Sequence, residues 1–474
     1  MNVSLIIIGL ALLLGLLLSY KWISDNTHQL FWLSFVLYFD PGGFFSGLND
    51  GSIFWRIKYY DLFFALMMVS WSLSDLWKRK ISFEQPHFRF IASGFAICSV
   101  YYLLVSGYIV PNAYGYEDFP LFIQKNRQFF YGLPVFIAVF QFTYFNFKGF
   151  VKPFIFFSLV SLIAFFITLL TGVELVPVLK LSRFGENDRI SLWSYGLTNW
   201  LLPLGVIILF MKNSFSGWQR KALLFGMGLM LVTIILTLTR REFIRVFFML
   251  FSIPLIINYI SNNSLLKGYR KIAIWAIIPI VLLYLFFFNY FELASNLVSE
   301  TFNMLINGGS GSNGDYRVSG EGDLVYVKQI IADHPFFGIG FYPAPWERVL
   351  DMKNSGITLG IALDASNEVP IYGSIMRLGL MGLIVPFLIH GKMIGYAFKF
   401  VTTIKHNKWL IEREPMEVFI GLSMVYYFVS LFTTDLFSLF LEYYHYPAFT
   451  LFSSIVAMLT AITARLQARI TADK

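Results

Sequence analysis

Charged side chains are scarce in this sequence. Asp, Glu, Lys and Arg make up 14% of its 474 residues, against about 25% in soluble domains. That scarcity excludes a soluble globular chain, since 57% of the residues are hydrophobic and the mean hydropathy is +0.66. There is one cysteine, Cys98, so no internal disulfide forms. In its apolar run, FAICSVYYLLV, it reads as a small buried residue. Histidine is limited to 6 residues, and none joins Cys or carboxylates at metal-ligand spacing. An HExxH pair, a P-loop and a GxSxG elbow are all missing. The net charge is +8, but Lys and Arg gather at the ends of apolar segments, which excludes a uniformly basic nucleic-acid binder.

What the chain has in quantity is apolar length. A spanning helix needs about 20 mostly apolar residues. Such runs lie near 3–22, 28–45, 58–77, 89–110, 128–146, 153–172, 193–211, 221–238, 242–260, 272–291, 369–390, 416–434 and 447–464. The first has no leading charged region and no small-residue cleavage site before Lys21, so it reads as a retained membrane helix. The second is the weakest, because its apolar part, Leu30 to Phe39, is short before Asp40-Pro41-Gly42-Gly43. The expected fold is an all-α polytopic membrane protein with twelve or thirteen transmembrane helices and one large periplasmic loop containing short amphipathic helices. It divides into N-terminal helices (1–291), a loop or shelf (292–368) and C-terminal helices (369–474), within one membrane domain.

Orientation follows from Lys and Arg in short loops. The basic loops hold Lys78-Arg79-Lys80, Lys148 and Lys152, Lys212 with Arg220-Lys221, Lys267 with Arg270-Lys271, Lys399 with Lys405 and Lys408, and finally Arg465, Arg469 and Lys474. With the spans above, all fall on one side, which is cytoplasmic by this rule. The shelf then faces the periplasm or exterior. The shelf's charge agrees, with ten acidic residues against four basic ones between Glu292 and Glu368. Within it, NGGSGSNG at 307–314 is turn-rich. Leu324, Val325, Val327, Ile330 and Ile331 suit an amphipathic helix that Pro335 ends.

A few arginines break the charge bias. Arg240 and Arg241, in TLTRREFIRVF, sit between two apolar segments on the face away from the basic loops. Ionisable groups near membrane depth are costly and usually functional; the alternatives are snorkelling to headgroups or pairing with Glu242. Arg317 in the shelf, and Arg183 and Arg189 in KLSRFGENDRISLW, lie on the same face. Convergence of these side chains would suit a lipid-linked diphosphate, since guanidinium groups bind phosphate in a two-pronged manner. For Arg189 the simpler reading is an ion pair with Asp188 or Glu186. His334, in DHPFFGIGF, is either a base or, as this pattern favours, a structural element of the turn. Metal-holding Asp-Asp or Asp-x-Asp pairs are missing from loops on this face.

Four of these features resemble the O-antigen ligase and O-antigen polymerase superfamily, bacterial membrane glycosyltransferases of the GT-C type. Arg183-Phe184-Gly185 before an apolar helix resembles the family's R-x-x-G segment, and Thr239-Arg240 resembles its Ser-Arg motif. Arg317 followed by HPFFGIGF resembles its shelf. Ser366-Asn367, then Gly379-Leu380-Met381-Gly382, resembles its His-Asn…G-l-x-G entry to the next helix. Order and spacing hold across about 183–387.

The resemblance implies transfer of glycan from an undecaprenyl-diphosphate carrier to an acceptor glycan or glycolipid, with no cofactor and no metal. Arg240 and Arg317 would hold the diphosphate; Arg183, Arg189, Arg241, His334 and Ser366 would line the substrate site. A chain-length regulator or another glycan-assembly protein is an implied partner, besides the lipid bilayer. Where ligases carry His, this chain has Ser366, which is no base near neutral pH. Either a nearby carboxylate, Asp364 or Glu368, would then serve the attacking hydroxyl, or the reaction would rely on charge stabilisation of the leaving group; Asn367 completes the implied catalytic set. The substitution favours a polymerase-like member over a ligase proper. A flippase or transporter for lipid-linked glycan remains the rival reading. Shelf aromatics Tyr316, Tyr326, Tyr342 and Trp346 suit either sugar stacking or the interfacial belt.

Overall fold

A computed structural model describes residues 26–39, 57–78, 86–109, 119–171, 178–182, 188–192, 197–211, 217–236, 240–261, 331–338, 370–430 and 448–473, with isolated positions between 173 and 328. It is a helical bundle. In chain order, α1 is Thr27–Tyr38, α2 Tyr59–Leu73, α3 Pro86–Leu104, α4 Phe119–Asn146, α5 Lys148–Thr171 and α6 Leu201–Phe210. Then follow α7 Gly217–Leu236, α8 Arg240–Ser261, α9 Pro370–His406, α10 Leu410–Arg413, α11 Pro415–Ser430 and α12 Ala448–Ala472. One antiparallel ribbon pairs β1, Val178–Ser182, with β2, Asp188–Leu192, where the sequence suggested a loop.

Six helices among the described residues are long and apolar enough to cross a membrane. They coincide with the runs expected near 89–110, 128–146, 153–172, 221–238, 369–390 and 447–464. Helices α2, α6, α8 and α11 match four further runs but carry shorter apolar stretches. The run 3–22 lies outside the described residues, and only isolated positions of 272–291 fall within them. The weak second run is α1, whose 12 residues rise about 18 Å, short of a hydrocarbon core of about 30 Å.

Helix α12 runs through the centre, with 89% of its spanning window buried. Its Ser454, Thr460 and Thr463 hydroxyls donate to carbonyls one turn back, so the bundle interior holds no stranded hydroxyl at these positions. Phe449 of α12 enters a notch that only Gly132 of α4 allows, because a Cβ there would overlap the ring. Phe129, Tyr102 and Phe95 surround the same ring, at 5.2, 6.0 and 5.7 Å between centroids. By contrast α5 turns Phe156, Val160, Ile163, Ile167 and Leu170 outward. That spacing is one helical stripe, suited to lipid.

The basic residues collect at one end of the bundle. There Arg465 of α12 lies 3.4 Å from Glu417 and donates to the Tyr144 carbonyl at 3.2 Å. Arg469 lies 2.9 Å from Glu414, and Lys405 stands 3.5 Å over the Tyr259 ring. We call this the basic end and the opposite one the far end. Because Tyr259 lies at the basic end, Arg240, at the other terminus of α8, begins that helix at the far end.

Candidate functional site

The far end carries two polar constructions. The first clamps α2 to α4. Asp61 opens α2, where its carboxylate accepts from the Lys58 amide at 2.8 Å. It also accepts a short charge-assisted hydrogen bond from Arg127 and a bond from the Tyr131 hydroxyl at 2.8 Å. Arg127 donates through Nε to the Tyr60 hydroxyl at 2.7 Å and stacks 4.3 Å over that ring. The Asp61 and Arg127 side chains are only 13% and 8% exposed. Nearby, the Tyr38 and Thr450 hydroxyls lie 3.0 Å apart, joining α1 to α12.

This cluster balances its own charges. Asp61 has three donors directed at it, and Arg127 is matched by that carboxylate. A buried carboxylate is held when its hydrogen-bonding capacity is filled, as that of Asp61 is by three donors, which suits a rigid clamp. An anionic ligand would meet the carboxylate as well as the guanidinium, so this is not the place for a diphosphate. Sequence reasoning missed the pair. Its signal was present, since Asp61 is the first acidic residue inside the run 58–77 and Arg127 the last charge before the run 128–146.

The second construction joins the shelf to α9. That helix breaks at Gly379, which has φ 65° and ψ 172°. Leu380 and Met381 therefore begin a new helical segment, and their amides need acceptors. The acceptors come from the shelf: Leu380 N–H donates to the Pro335 carbonyl at 3.0 Å and Met381 N–H to the Phe336 carbonyl at 3.1 Å. Gly338, also left-handed at φ 65°, closes the turn by donating to the His334 carbonyl at 3.1 Å. The two glycines meet back to back. A Cβ on Gly338 would lie 2.5 Å from the Gly379 nitrogen and 2.6 Å from the Arg377 carbonyl oxygen. A Cβ on Gly379 would overlap the Phe336 carbonyl.

Helix α3 seals this junction. Tyr101 donates to the Leu378 carbonyl at 2.9 Å, left open by the break, and Tyr102 to the Gly382 carbonyl at 3.2 Å. Gly382 gives Tyr101 room, since a Cβ would stand 2.7 Å from its ring. Both glycines of Gly379-Leu380-Met381-Gly382 thus have a steric reason. Arg377, two residues before the break, is 1% exposed; it was not singled out from the sequence, although a lone charge in an apolar run was the available signal.

His334 lies in this turn and is half-buried. Its backbone carbonyl closes the turn. Arg240 and Arg241 form the first turn of α8, and Arg189 lies in β2, its backbone paired with Leu181. Arg183, Arg317, Ser366, Asn367 and Glu368 lie outside the described residues. Among the described residues, no three His, Cys, Asp or Glu side chains gather as a metal site requires. No protein-family model matches this chain, and no curated protein matches it as a relative.

Proposed function

We propose that this protein is an inner-membrane glycosyltransferase of the O-antigen ligase and polymerase type, acting on glycan carried by undecaprenyl diphosphate, with a polymerase-like reaction favoured. On this reading the basic end faces the cytoplasm and the far end the periplasm. The observation that carries it is the junction of Pro335–Phe336 with Leu380–Met381. HPFFGIG and GLMG, two segments that carry the resemblance, are parts of one local structure. Arg240 begins α8 at that same end of the bundle, which further supports the reading.

In the proposed reaction an acceptor hydroxyl attacks the anomeric carbon of the donor sugar. The bond from that carbon to the phosphate oxygen breaks, and undecaprenyl diphosphate leaves with the electron pair. Arg240 and Arg317 stabilise the charge that develops on it. Glu368 or Asp364 takes the hydroxyl proton, with Asn367 orienting the acceptor. Removing one preorganised donor of this kind lowers the rate by about 10²–10³. Cells carrying Arg240→Ala or Arg317→Ala are therefore expected to lose long glycan while the protein stays in the membrane; near-normal long glycan in either strain overturns the mechanism.

One observation favours a flippase or transporter instead, namely the broken helix at Gly379, since transporters use discontinuous helices at their substrate sites. Here the freed amides are taken up by Pro335 and Phe336 carbonyls, so the break serves the shelf junction. The material that accumulates in a deletion strain separates the readings. Single repeat units indicate a polymerase, unused polymer on the carrier a ligase, and loss of all outward glycan a flippase.

A further inference from the structure

The shelf turn sits lower than a loop above a membrane would. The apolar span containing α3 runs Phe88–Ile109, and the exposed Tyr108 near its end suits the interfacial aromatic belt. Tyr101, which bonds Leu378, lies seven residues earlier, about 10 Å deeper along the helix at about 1.5 Å per residue. Leu378 is the residue before the break, so Pro335 to Gly338 are held at that depth. The apolar span of α9 likewise begins before the break, at Ile375.

The surface chemistry of the turn matches that depth. Phe336 and Phe337 are 57% and 49% exposed. They adjoin Leu380 and Met381, to which the turn is bonded, and the outward apolar row continues through Ile384, Phe387 and Leu388. Irregular backbone within a bilayer is tolerated only where its polar groups are satisfied. Here the carbonyls of His334, Pro335 and Phe336 all accept hydrogen bonds, and Pro335 has no N–H to satisfy. We propose that His334–Gly338 is a re-entrant turn seated in the far leaflet, with Phe336 and Phe337 against lipid acyl chains. The shelf is thereby anchored in the bilayer beside the break in α9, and this holds whether or not glycosyl transfer is the chemistry.

The test uses full-length protein in phosphatidylethanolamine–phosphatidylglycerol vesicles. Cys98, the sole cysteine, is replaced by Ala, and a nitroxide is attached at Phe336→Cys or Phe337→Cys. Ile384→Cys supplies the lipid-facing reference, and Asp75→Cys, in an exposed turn, the aqueous one. At 336 and 337 molecular oxygen is expected to relax the label more than a water-soluble nickel chelate does, as at 384 and opposite to 75. Stronger relaxation by the chelate would place the turn in water, and weak relaxation by both would place it under protein; either result overturns the proposal. Should labelling disturb folding, hydrogen exchange on the wild-type protein in lipid nanodiscs decides. Slow exchange at the Phe336 and Phe337 amides is expected, and exchange as fast as in a free peptide overturns the proposal.

Discussion

The two ends of the bundle are held together by different chemistry. At the basic end the ion pairs run from enclosed to open, Arg465 and Glu417 being only 14% and 1% exposed. Arg413 with Asp473 is exposed on both sides, and Arg469 is half-exposed against a buried Glu414. At the far end, among the described residues, Asp61 and Arg127 are sealed among tyrosines, and the turn at 334–338 is tied to α9 by backbone hydrogen bonds between close-set glycines. An exposed pair such as Arg413–Asp473 tolerates substitution, because water serves both partners nearly as well. The Asp61–Arg127 clamp has no such reserve, since each partner depends on the other.

Breaking the far-end clamp is expected to have the largest effect on stability. Arg127→Ala strands Asp61, and removing one member of a buried pair costs about 3–5 kcal/mol. Thermal unfolding in detergent should show a pronounced loss, partly restored in the double variant Asp61→Asn, Arg127→Gln. A loss in Arg127→Ala no larger than a surface change would mean the pair is ornamental.

A smaller loss is expected at the glycine junction. Gly379→Ala places a side chain at φ 65° against the Phe336 carbonyl, with backbone strain of about 1–3 kcal/mol before any clash. Gly395→Ala, in the same helix with nothing within 4 Å of the added Cβ, is the control. It is expected to stabilise by about 0.5–1 kcal/mol through helix propensity. Equal behaviour of the two variants in the same unfolding measurement would show that the break is not steric. At the basic end, Arg413→Ala is expected to change stability by at most about 1 kcal/mol, as exposed pairs do; a loss rivalling Arg127→Ala would erase the contrast between the ends.

How much of this was legible in the sequence follows the same contrast. Apolar runs announce spanning helices because lipid demands length, so α3, α4, α5, α7, α9 and α12 were readable. The separation of Arg240 from the basic loops was readable for the same reason. The break at Gly379 was not, because GLMG is compatible with an unbroken helix and hydropathy carries no backbone angle. Its cause lies in a turn some forty residues earlier, where Pro335 and Phe336 supply the carbonyls. The pairing of Asp61 with Arg127 was also hidden, since it depends on which faces of α2 and α4 meet. The ribbon that holds Arg189 read as a loop because its strands are short, 5 residues each.

The most direct test of the function is transfer by the purified protein. It is supplied with undecaprenyl-diphosphate-linked glycan and an acceptor glycan, without nucleotide, and products are followed by mass. Lengthened glycan together with free undecaprenyl diphosphate is predicted, with both lost in Arg240→Ala at unchanged thermal stability. An intact donor after incubation with folded wild-type protein, or undiminished transfer by Arg240→Ala, would contradict the account.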